Sequence, residues 1–481
     1  MAEPRSPISL DGVRRVHLIA VGGVGMTALA GLLQEAGYEV RGSDEELYPP
    51  MSLVVARLGI ELRKGYRPEN LSPAPDLVIV GNKVSRDNPE VQALLASGLP
   101  YLSMPEALAE LFLTDRRSLV VAGTHGKTTS TAMLAWVLEC AGRDPSLMVG
   151  GESRDFRGNF KLGKGRDFVI EGDEYDSAFF DKGPKFLHYR PGAVLLTAVE
   201  FDHADIYRDL DHVKEAFRRL LDILPAGAPL VTSGDFPHAL DVVRESGRTA
   251  ATFGRGDGCQ WRIDGLSDTG AATRFRVMRA GRSEGEVTLL APGAINACNA
   301  LGVYVLAREI GLHHDEIASG LSTFSGVARR QELVGELGGV TLIDDFAHHP
   351  TAVDGTIAAV RSRYPRRRLW AAFEPRSNTS RRKIFQRDYV SALSAADRVI
   401  IGAVFQKDSD KVTADDLFSP EQLVRDLEAA GVAASTHRSS EEIAQLIASA
   451  AEPGDVVLLM SNGGFGGLRQ QLVERLGRRS V

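Results

Sequence analysis

The chain is poor in cysteine. It has 3 cysteines in 481 residues, and Cys140, Cys259 and Cys298 form no C-x-x-C pair. An odd and sparse set excludes a disulfide framework and is typical of reduced thiols in a cytoplasmic protein.

Long hydrophobic runs and an excess of positive charge are also missing. No window of about 18 apolar residues exists, so we expect no membrane insertion. The opening MAEPRSPISL lacks the apolar core of a signal peptide. The formal net charge of −7 and the pI of about 5.9 argue against a protein that coats nucleic acid. With 43% hydrophobic and 25% charged residues, the composition indicates a globular enzyme, which we expect in the cytoplasm.

Short apolar runs alternate with amphipathic stretches along the chain, which is typical of βαβ units with mostly parallel sheets. The predicted strands are Val16–Val21, Leu77–Val80, Leu119–Val121, Phe168–Ile170, Val194–Leu196, Val340–Ile343, Leu369–Phe373, Arg398–Ile401 and Val456–Met460. We predict an α/β protein of three domains: a Rossmann-like domain (1–114), a central P-loop ATPase-type domain (115–325) and a Rossmann-like C-terminal domain (326–481). Residues 255–290, which are rich in glycine and alternate in polarity, predict a small antiparallel insertion.

A glycine-rich turn follows the first predicted strand. Residues 23–28 match G-x-G-x-x-A and lead into a helix, and Asp44 ends a second strand about 20 residues further on. Free N–H groups at such a helix start bind phosphate. The predicted binding residues are Gly23, Val24, Gly25, Met26 and Asp44. Two ligands fit this pattern, a nicotinamide dinucleotide and a sugar nucleotide, and a side chain at Gly25 is expected to block the approach to either pyrophosphate.

A stronger phosphate-binding signal follows the predicted strand Leu119–Val121. The loop reads Gly123-Thr124-His125-Gly126-Lys127-Thr128-Thr129 and opens a helix. Backbone N–H groups of such a loop surround phosphate. We expect Lys127 to face solvent and contact the terminal phosphates of ATP, and Thr128 to place its hydroxyl on Mg²⁺. Val121 stands where the general G-x-x-x-x-G-K-T pattern has its first glycine.

Acidic residues come directly after two predicted strands of the central domain. Glu171 follows one of them and is the best candidate for a metal ligand, since ligands bind at the carboxyl ends of parallel strands. Glu174 in the same cluster is equally well interpreted as a solvated loop residue. His203 lies in a second acidic cluster, and we predict that it is a ligand of a second Mg²⁺, although Mg²⁺ prefers oxygen.

These motifs together resemble the Mur ligase superfamily. The resemblance rests on the phosphate loop, the E-x-D-E-x-D cluster at 171–176, Asp202-His203 and the DD-x-x-HHP stretch at 344–350, and it covers nearly the whole chain. It implies an ATP- and Mg²⁺-dependent ligase. It also assigns ATP contacts to Asn296, Asn299, Arg329, Asp345 and His348. Ile295 stands where the family usually has a histidine, which loosens the match at the adenine end.

The resemblance is closest to the branch that binds UDP-N-acetylmuramate. It implies that the tripeptide L-Ala-γ-D-Glu-meso-diaminopimelate is joined to that sugar nucleotide through an acyl phosphate, in cell-wall peptide recycling. Catalysis would depend on Lys127, Glu171 and His203. Arg376 follows a strand, where it serves equally well in a structural ion pair or in binding a peptide carboxylate. The other predicted peptide-binding residues are Ser377, Asn378, Ser461 and Asn462.

Other functions stay open at this point. The nearest alternative is a ligase that adds free L-alanine to UDP-N-acetylmuramate. A nicotinamide-dependent oxidoreductase would use the first glycine turn but leaves the Gly-Lys-Thr loop unexplained, and a regulatory P-loop ATPase leaves the first domain unexplained. The basic run Arg361–Arg368 is predicted to be a solvated face, and no nucleic-acid partner is expected.

Overall fold

The structure is a computed structural model that describes residues 8–47, 51–270, 272–405 and 416–480. Its contacts divide the chain into two compact units. The first comprises residues 1–199, 214–261 and 302–321, and the second comprises residues 200–213, 262–301 and 322–481. Within the described residues, no helix has both the length and the apolar character needed to cross a membrane.

The first unit opens with a five-stranded parallel sheet in the order β3-β2-β1-β4-β5. Its elements are β1 (Arg15–Ile19), α1 (Val24–Glu35), β2 (Glu39–Asp44), α2 (Met51–Leu58), β3 (Glu61–Lys64), β4 (Leu77–Val80), α3 (Pro89–Ser97), β5 (Tyr101–Ser103) and α4 (Met104–Leu108). The order of the strands reverses between β1 and β4. The glycine turn after β1 therefore lies at the point where open α/β sheets bind ligands.

A second sheet of the first unit carries the phosphate loop. The elements of this part of the chain are β6 (Arg117–Ala122), α5 (Lys127–Cys140), β7 (Ser146–Ser153), β8 (Gly158–Lys161), β9 (Asp167–Gly172), β10 (Asp176–Ala178), β11 (Asp181–Pro184), β12 (Pro191–Leu196), α6 (Leu210–Asp222), β13 (Leu230–Ser233), α7 (Pro237–Glu245) and β14 (Ala251–Gly254). Within this unit the strand order is β14-β13-β12-β6-β9-β7-β8, and only the β7–β8 pair is antiparallel. Strands β10 and β11 form a separate hairpin.

The next segment contains the predicted insertion. It consists of β15 (Trp261–Asp268), β16 (Thr273–Arg279), β17 (Arg282–Leu289), α8 (Ala294–Glu309) and α9 (His314–Thr323). Strands β16 and β17 pair antiparallel, which confirms the antiparallel character predicted for residues 255–290.

The last sheet lies in the second unit and is parallel except at one edge. Its elements are β18 (Glu332–Leu337), β19 (Val340–Asp345), α10 (Pro350–Arg363), β20 (Leu369–Phe373), α11 (Asp388–Leu393), β21 (Arg398–Gly402), α12 (Pro420–Ala429), β22 (Ala433–His437), α13 (Ser440–Ala450), β23 (Val456–Met460) and α14 (Leu468–Gly477). The order is β18-β19-β23-β20-β21-β22, and β18 is the antiparallel strand. Alternate residues of β20 pack into two hydrophobic cores on opposite faces of the sheet, with Phe373 in one core and Trp370 in the other. Burial on both faces explains the continuous apolar runs.

The predicted strands are all present, but the first is shorter than expected. It ends at Ile19, because Ala20 turns into the left-handed region at φ 66°. The N–H groups of Ala20 and Val21 then donate to the carbonyl of Ser43.

The prediction of a solvated basic face at Arg361–Arg368 is wrong for its two ends. Arg361 donates to Asp397 at 2.7 Å, and Arg368 donates to Asp455 at 2.7 Å. These guanidinium groups fix the connection between α10 and β20 to neighbouring loops. A sequence pattern does not reveal such pairs, because their partners are distant in the chain.

Candidate active site

The phosphate loop connects β6 to the start of α5. Gly123 has φ 133° and Gly126 has φ 79°, a backbone region that favours glycine. A Cβ on Gly123 would lie 2.4 Å from the Thr197 hydroxyl, so only glycine fits. The N–H of Thr124 donates to the carbonyl of Ala198, and Thr197 donates to that of His125. The loop is therefore held in shape by the segment after β12.

Lys127 does not face solvent, contrary to the sequence prediction. Its side chain is 14% exposed, and its ammonium lies 2.9 Å from a carboxylate oxygen of Glu174, which is 1% exposed. The same group donates to the carbonyl of Gly123 at 2.5 Å. Burial opposes the charge, but Glu174 and Glu171 outweigh it and raise the pKa of Lys127 above its usual value. The interpretation of Glu174 as a solvated acid is also wrong.

Two side chains with oxygen atoms that could bind a metal lie together beside the loop. The hydroxyl of Thr128 donates to Glu171 at 2.9 Å, and the N–H of Gly150 donates to the other oxygen of Glu171 at 2.6 Å. A hydroxyl and a carboxylate at the start of a helix that binds phosphate suit Mg²⁺, which takes oxygen ligands. His125 and Thr129, which complete the predicted loop, are partly exposed.

The loop after β9 is itself fixed by charge. Asp173 accepts from Lys185 at 2.5 Å and from the N–H of Tyr175 at 3.0 Å. Burial raises the pKa of Asp173, but Lys185 outweighs it and lowers that pKa to about 2. The position of Glu174 next to it is therefore set by a rigid turn.

At the first glycine turn, only part of the predicted set is open to a ligand. Gly23 and Val24 are exposed, whereas Met26 is buried in the core. Asp44 accepts from the N–H of Gly22 at 2.8 Å and from the hydroxyl of Tyr66 at 3.1 Å. Asp44 thus holds the turn in shape, a structural role that the spacing alone did not indicate.

The prediction that a side chain at Gly25 would block the pyrophosphate directly is wrong. A Cβ there would lie 3.1 Å from Met104 Cε and 3.5 Å from Met148 Cε, so it points into the protein. At Gly23 the nearest atoms to a Cβ are 3.8 Å away and φ is −68°, so Gly23 tolerates a side chain.

We therefore expect Gly23→Val to raise the KM for UDP-N-acetylmuramate by tenfold or more and to leave the melting temperature and the KM for ATP unchanged. The reason is that a branched side chain at the exposed helix start obstructs a diphosphate. Steady-state kinetics at saturating ATP measure this. Gly258→Val, at an exposed glycine with no positive φ and no atom within 4 Å of an added Cβ, is the control, and equal effects of the two variants would contradict the assignment.

In the second unit, the buried Asp202 lies between two partly exposed histidines. The imidazole of His203 lies 3.9 Å from one oxygen of Asp202, and that of His348 lies 3.7 Å from the other. The backbone of His203 has φ 55°, and its backbone N–H donates to a carboxylate oxygen of Asp202 at 2.7 Å. Burial raises the pKa of Asp202, but the histidines outweigh it and hold that pKa well below its usual range. The carboxylate of Asp202 is thus negatively charged beside His203.

Two predicted ATP contacts of this unit are occupied by internal bonds. Asp345 accepts from the N–H groups of Gln331 at 2.6 Å and Ala347 at 2.7 Å, and its burial raises its pKa. Arg329 donates to the carbonyls of Ser461 and Gly463 at 2.7 and 2.6 Å. Both residues fix the loops at the carboxyl edge of the sheet, and their contact with ATP stays a prediction.

The two predicted adenine contacts lie at the start of α8. Asn296 is buried and donates to the carbonyl of Pro292 at 2.9 Å, whereas Asn299 is half-buried. Ile295 lies against α10, where a Cβ on Gly355 would be 3.0 Å from its Cδ1. The residue that replaces the family histidine thus has a packing role.

A cavity of about 470 Å³ opens at the carboxyl edge of the last sheet. Glu374, Phe405 and Arg438 are among its lining residues. Arg376 stacks on the Phe405 ring, with its Cζ 3.8 Å from the centroid, and its Nη1 lies 3.5 Å from Glu374. The other oxygen of Glu374 accepts from Ser461 at 2.5 Å. Arg376 therefore lies behind two residues that line this cavity, Glu374 and Phe405, and pairs with one of them. The ion pair agrees with the structural interpretation, and binding of a peptide carboxylate stays a prediction.

The remaining peptide-binding candidates differ in how open they are. Ser377 is buried and bonds to Ser380, and Asn378 accepts from Arg381 at 3.2 Å. The Oδ1 atom of Asn462 is buried and has no hydrogen-bond partner among the described residues. Sequence reasoning missed Phe405 and Arg438, which come from loops after β21 and β22 and carry no motif.

Three descriptions of the Mur ligase family match successive parts of the chain. The description "Mur ligase family, catalytic domain" matches residues 15–116, "Mur ligase middle domain" matches 121–307, and "Mur ligase, glutamate ligase domain" matches 329–463. The UDP-N-acetylmuramate–L-alanyl-gamma-D-glutamyl-meso-2,6-diaminoheptandioate ligase of Escherichia coli is 38% identical over 97% of this chain and 99% of its own length.

Two solved structures cover nearly the whole chain. A murein peptide ligase from Psychrobacter arcticus is 33% identical, with a TM-score of 0.70, over 97% of this chain and 99% of its own. A UDP-N-acetylmuramate-alanine ligase from Thermotoga maritima is 25% identical, with a TM-score of 0.79, over 96% and 98%. The two measures disagree on which structure is more similar. Sequence identity distinguishes the two enzymes better than the TM-score does, because the TM-score compares backbones and both enzymes have the same backbone fold.

Proposed function

The chain belongs to the Mur ligase family, and we propose that it joins the tripeptide L-Ala-γ-D-Glu-meso-diaminopimelate to UDP-N-acetylmuramate at the expense of ATP, in cell-wall peptide recycling in the bacterial cytoplasm. The observation that carries this proposal is the 38% identity over 97% of the chain to the Escherichia coli enzyme whose name states these substrates. The phosphate loop with its buried lysine supports the use of ATP. We propose the three domains 1–114, 115–325 and 326–481 for sugar nucleotide, ATP and peptide.

The chemistry needs a leaving group better than hydroxide on the muramyl carboxylate. Transfer of the γ-phosphoryl group to a carboxylate oxygen gives an acyl phosphate and ADP. The peptide amine then attacks the carbonyl carbon, loses a proton, and expels inorganic phosphate from the tetrahedral intermediate. Every reacting oxygen is anionic, so neutralisation of charge is the main task.

We assign this task first to Lys127, beside the backbone N–H groups of residues 123–129. Thr128 and Glu171 would hold Mg²⁺, which supplies charge neutralisation at the phosphates when bound. We further propose ATP contacts for Asn296, Asn299, Arg329, Asp345 and His348. Gly23, Val24 and Gly25 would present backbone N–H groups to the sugar nucleotide's diphosphate.

The proposed peptide site is the cavity at the carboxyl edge of the last sheet. Its volume of about 470 Å³ far exceeds what one alanine would fill, and its lining carries one charge of each sign, at Glu374 and Arg438. Arg376 offers a guanidinium to a peptide carboxylate, and the buried Oδ1 of Asn462 offers an acceptor. We include Ser377, Asn378 and Ser461 in this site, where they fix the loops that carry these groups.

Arg376→Ala is expected to lower kcat/KM for the tripeptide by about 1.5–3 kcal/mol, the loss of one charge-assisted contact. The KM for ATP and for the sugar nucleotide should stay within twofold. Arg425→Ala, an exposed arginine on α12 that pairs with Gln422, is the matched control. If both variants retain wild-type kcat/KM, Arg376 serves only in the structural ion pair with Glu374.

His203→Ala is expected to raise the Mg²⁺ concentration for half-maximal rate several-fold, with ATP binding little changed. The motivation is its strained position beside the charged Asp202, and added Mn²⁺ should restore part of the rate. Titration of the rate with each metal measures this. His212→Ala, on the exposed start of α6, serves as control. An unchanged Mg²⁺ dependence would leave His203 with a structural role.

The experiment that tests the whole proposal is phosphate release from ATP with Mg²⁺ and UDP-N-acetylmuramate, with either the tripeptide or free L-alanine as the amine. We expect turnover with the tripeptide at least tenfold above that with L-alanine. The reverse preference would replace the proposal by the L-alanine ligase. Micromolar binding of NAD without any binding of the sugar nucleotide would favour the oxidoreductase.

A further inference from the structure

The ammonium of Lys127 already has three acceptors in the structure. Its Nζ lies 2.5 Å from the carbonyl of Gly123, 3.4 Å from that of Thr124 and 2.9 Å from Oε1 of Glu174. An ammonium has three donors, so this set satisfies all of them. A phosphate oxygen that binds Lys127 must therefore displace one of these acceptors.

Glu174 is the charged acceptor of the three. The two carbonyls belong to the phosphate loop itself and remain beside the lysine in any occupied loop. The carboxylate of Glu174 is 1% exposed, so solvent screens it poorly. A terminal phosphate that approaches Lys127 meets this negative charge at short range.

We propose that Glu174 is a positioning residue that competes with the terminal phosphates of the nucleotide for the Lys127 ammonium, and so limits the affinity for ATP. In the free protein it keeps the lysine inside the loop and compensates its charge. The inference rests on the proposed function only in so far as ATP is the ligand, and it concerns no other substrate.

Glu174 cannot withdraw freely from the lysine, because the segment around it is anchored on both sides. On one side, Lys185 holds Asp173. On the other, the tip of the β10–β11 hairpin places Phe179 and Phe180 against the core of the first sheet, and the Phe180 ring contacts that of Tyr101 at 5.3 Å between centroids. The competition therefore persists when the nucleotide arrives.

The test is Glu174→Gln, which keeps the size and the acceptor oxygen but removes the charge. Binding of ATP and of AMP to the full chain is measured by calorimetry at fixed Mg²⁺, without sugar nucleotide or peptide. We expect the Kd for ATP to fall about three- to tenfold, the effect of removing one like charge near the phosphates. The Kd for AMP should stay within twofold, because AMP has no phosphate at Lys127.

Asp176→Asn is the matched control, since it removes a carboxylate two residues from Glu174 whose partner is Lys182 and not Lys127. In the ligation assay, Glu174→Gln should lower the KM for ATP and leave kcat within threefold of the wild type. Substitution of a purely structural residue would instead raise the KM and lower kcat. If Glu174→Gln folds poorly, Glu174→Ala is expected to shift the Kd for ATP in the same direction.

Unchanged or weaker ATP binding in a folded Glu174 variant overturns the inference, as does a shift of equal size in Asp176→Asn. Failure of the wild-type protein to bind ATP would instead refute the proposed function. The two failures are therefore distinguishable.

Discussion

The Lys127→Ala variant is expected to ligate about 10²–10³-fold more slowly than the wild type, because it loses a charge contact to the transferring phosphoryl group. It should also be less stable. The substitution leaves Glu174, which is 1% exposed, as an uncompensated buried charge, and such a loss costs about 3–5 kcal/mol of unfolding free energy. Phosphate release at saturating substrates and thermal unfolding measure the two effects.

The double variant Lys127→Ala with Glu174→Gln separates catalysis from stability. With the buried charge removed, we expect the melting temperature to recover most of its loss while the rate stays low. Lys185→Ala provides a comparison, since it breaks the other ion pair of this loop, with Asp173. Lys127→Ala activity within twofold of wild type would refute the assignment of the phosphate loop.

The second large effect is expected at Glu171. In Glu171→Gln the amide oxygen can still accept from the N–H of Gly150, which the carboxylate contacts at 2.6 Å, and the amide NH2 can donate to the Thr128 hydroxyl. The fold should therefore be retained. The rate should fall about 100-fold or more, because a neutral amide holds Mg²⁺ weakly and charge neutralisation at the phosphates is lost. A higher Mg²⁺ requirement should accompany the slower rate.

Glu152→Gln is the control for this variant, since Glu152 is an exposed carboxylate two residues from Gly150 on the same strand. It should behave as the wild type in both rate and Mg²⁺ titration. If Glu171→Gln shows the wild-type Mg²⁺ dependence, Glu171 fixes the turn at Gly150 and the metal has other ligands.

Some of the site was predictable because it is local in sequence. The segment Gly123–Thr129 places two glycines, a lysine and a hydroxyl at one strand-to-helix turn, and neighbours in the chain are sufficient to form a phosphate-binding loop. The strands were predictable for a similar reason, since burial on both faces requires unbroken apolar runs such as Leu77–Val80.

Other predictions failed where the answer depends on residues distant in the chain. Lys127 was expected in solvent, but its partner Glu174 lies 47 positions away and closes over it. Gly25 was expected to face a ligand, but its Cβ direction points towards Met104 and Met148. The direction of a Cβ vector follows from packing, and a spacing pattern does not contain it.

The sequence by itself determined the α/β class, the two phosphate-binding turns and the family, because each depends on the order of residues along the chain. The tertiary structure alone decided which charges are buried, which glycine is open to a ligand and which loops line the cavity of Glu374, Phe405 and Arg438. These depend on distances between segments that meet only when parallel strands bring their carboxyl ends to one edge of a sheet.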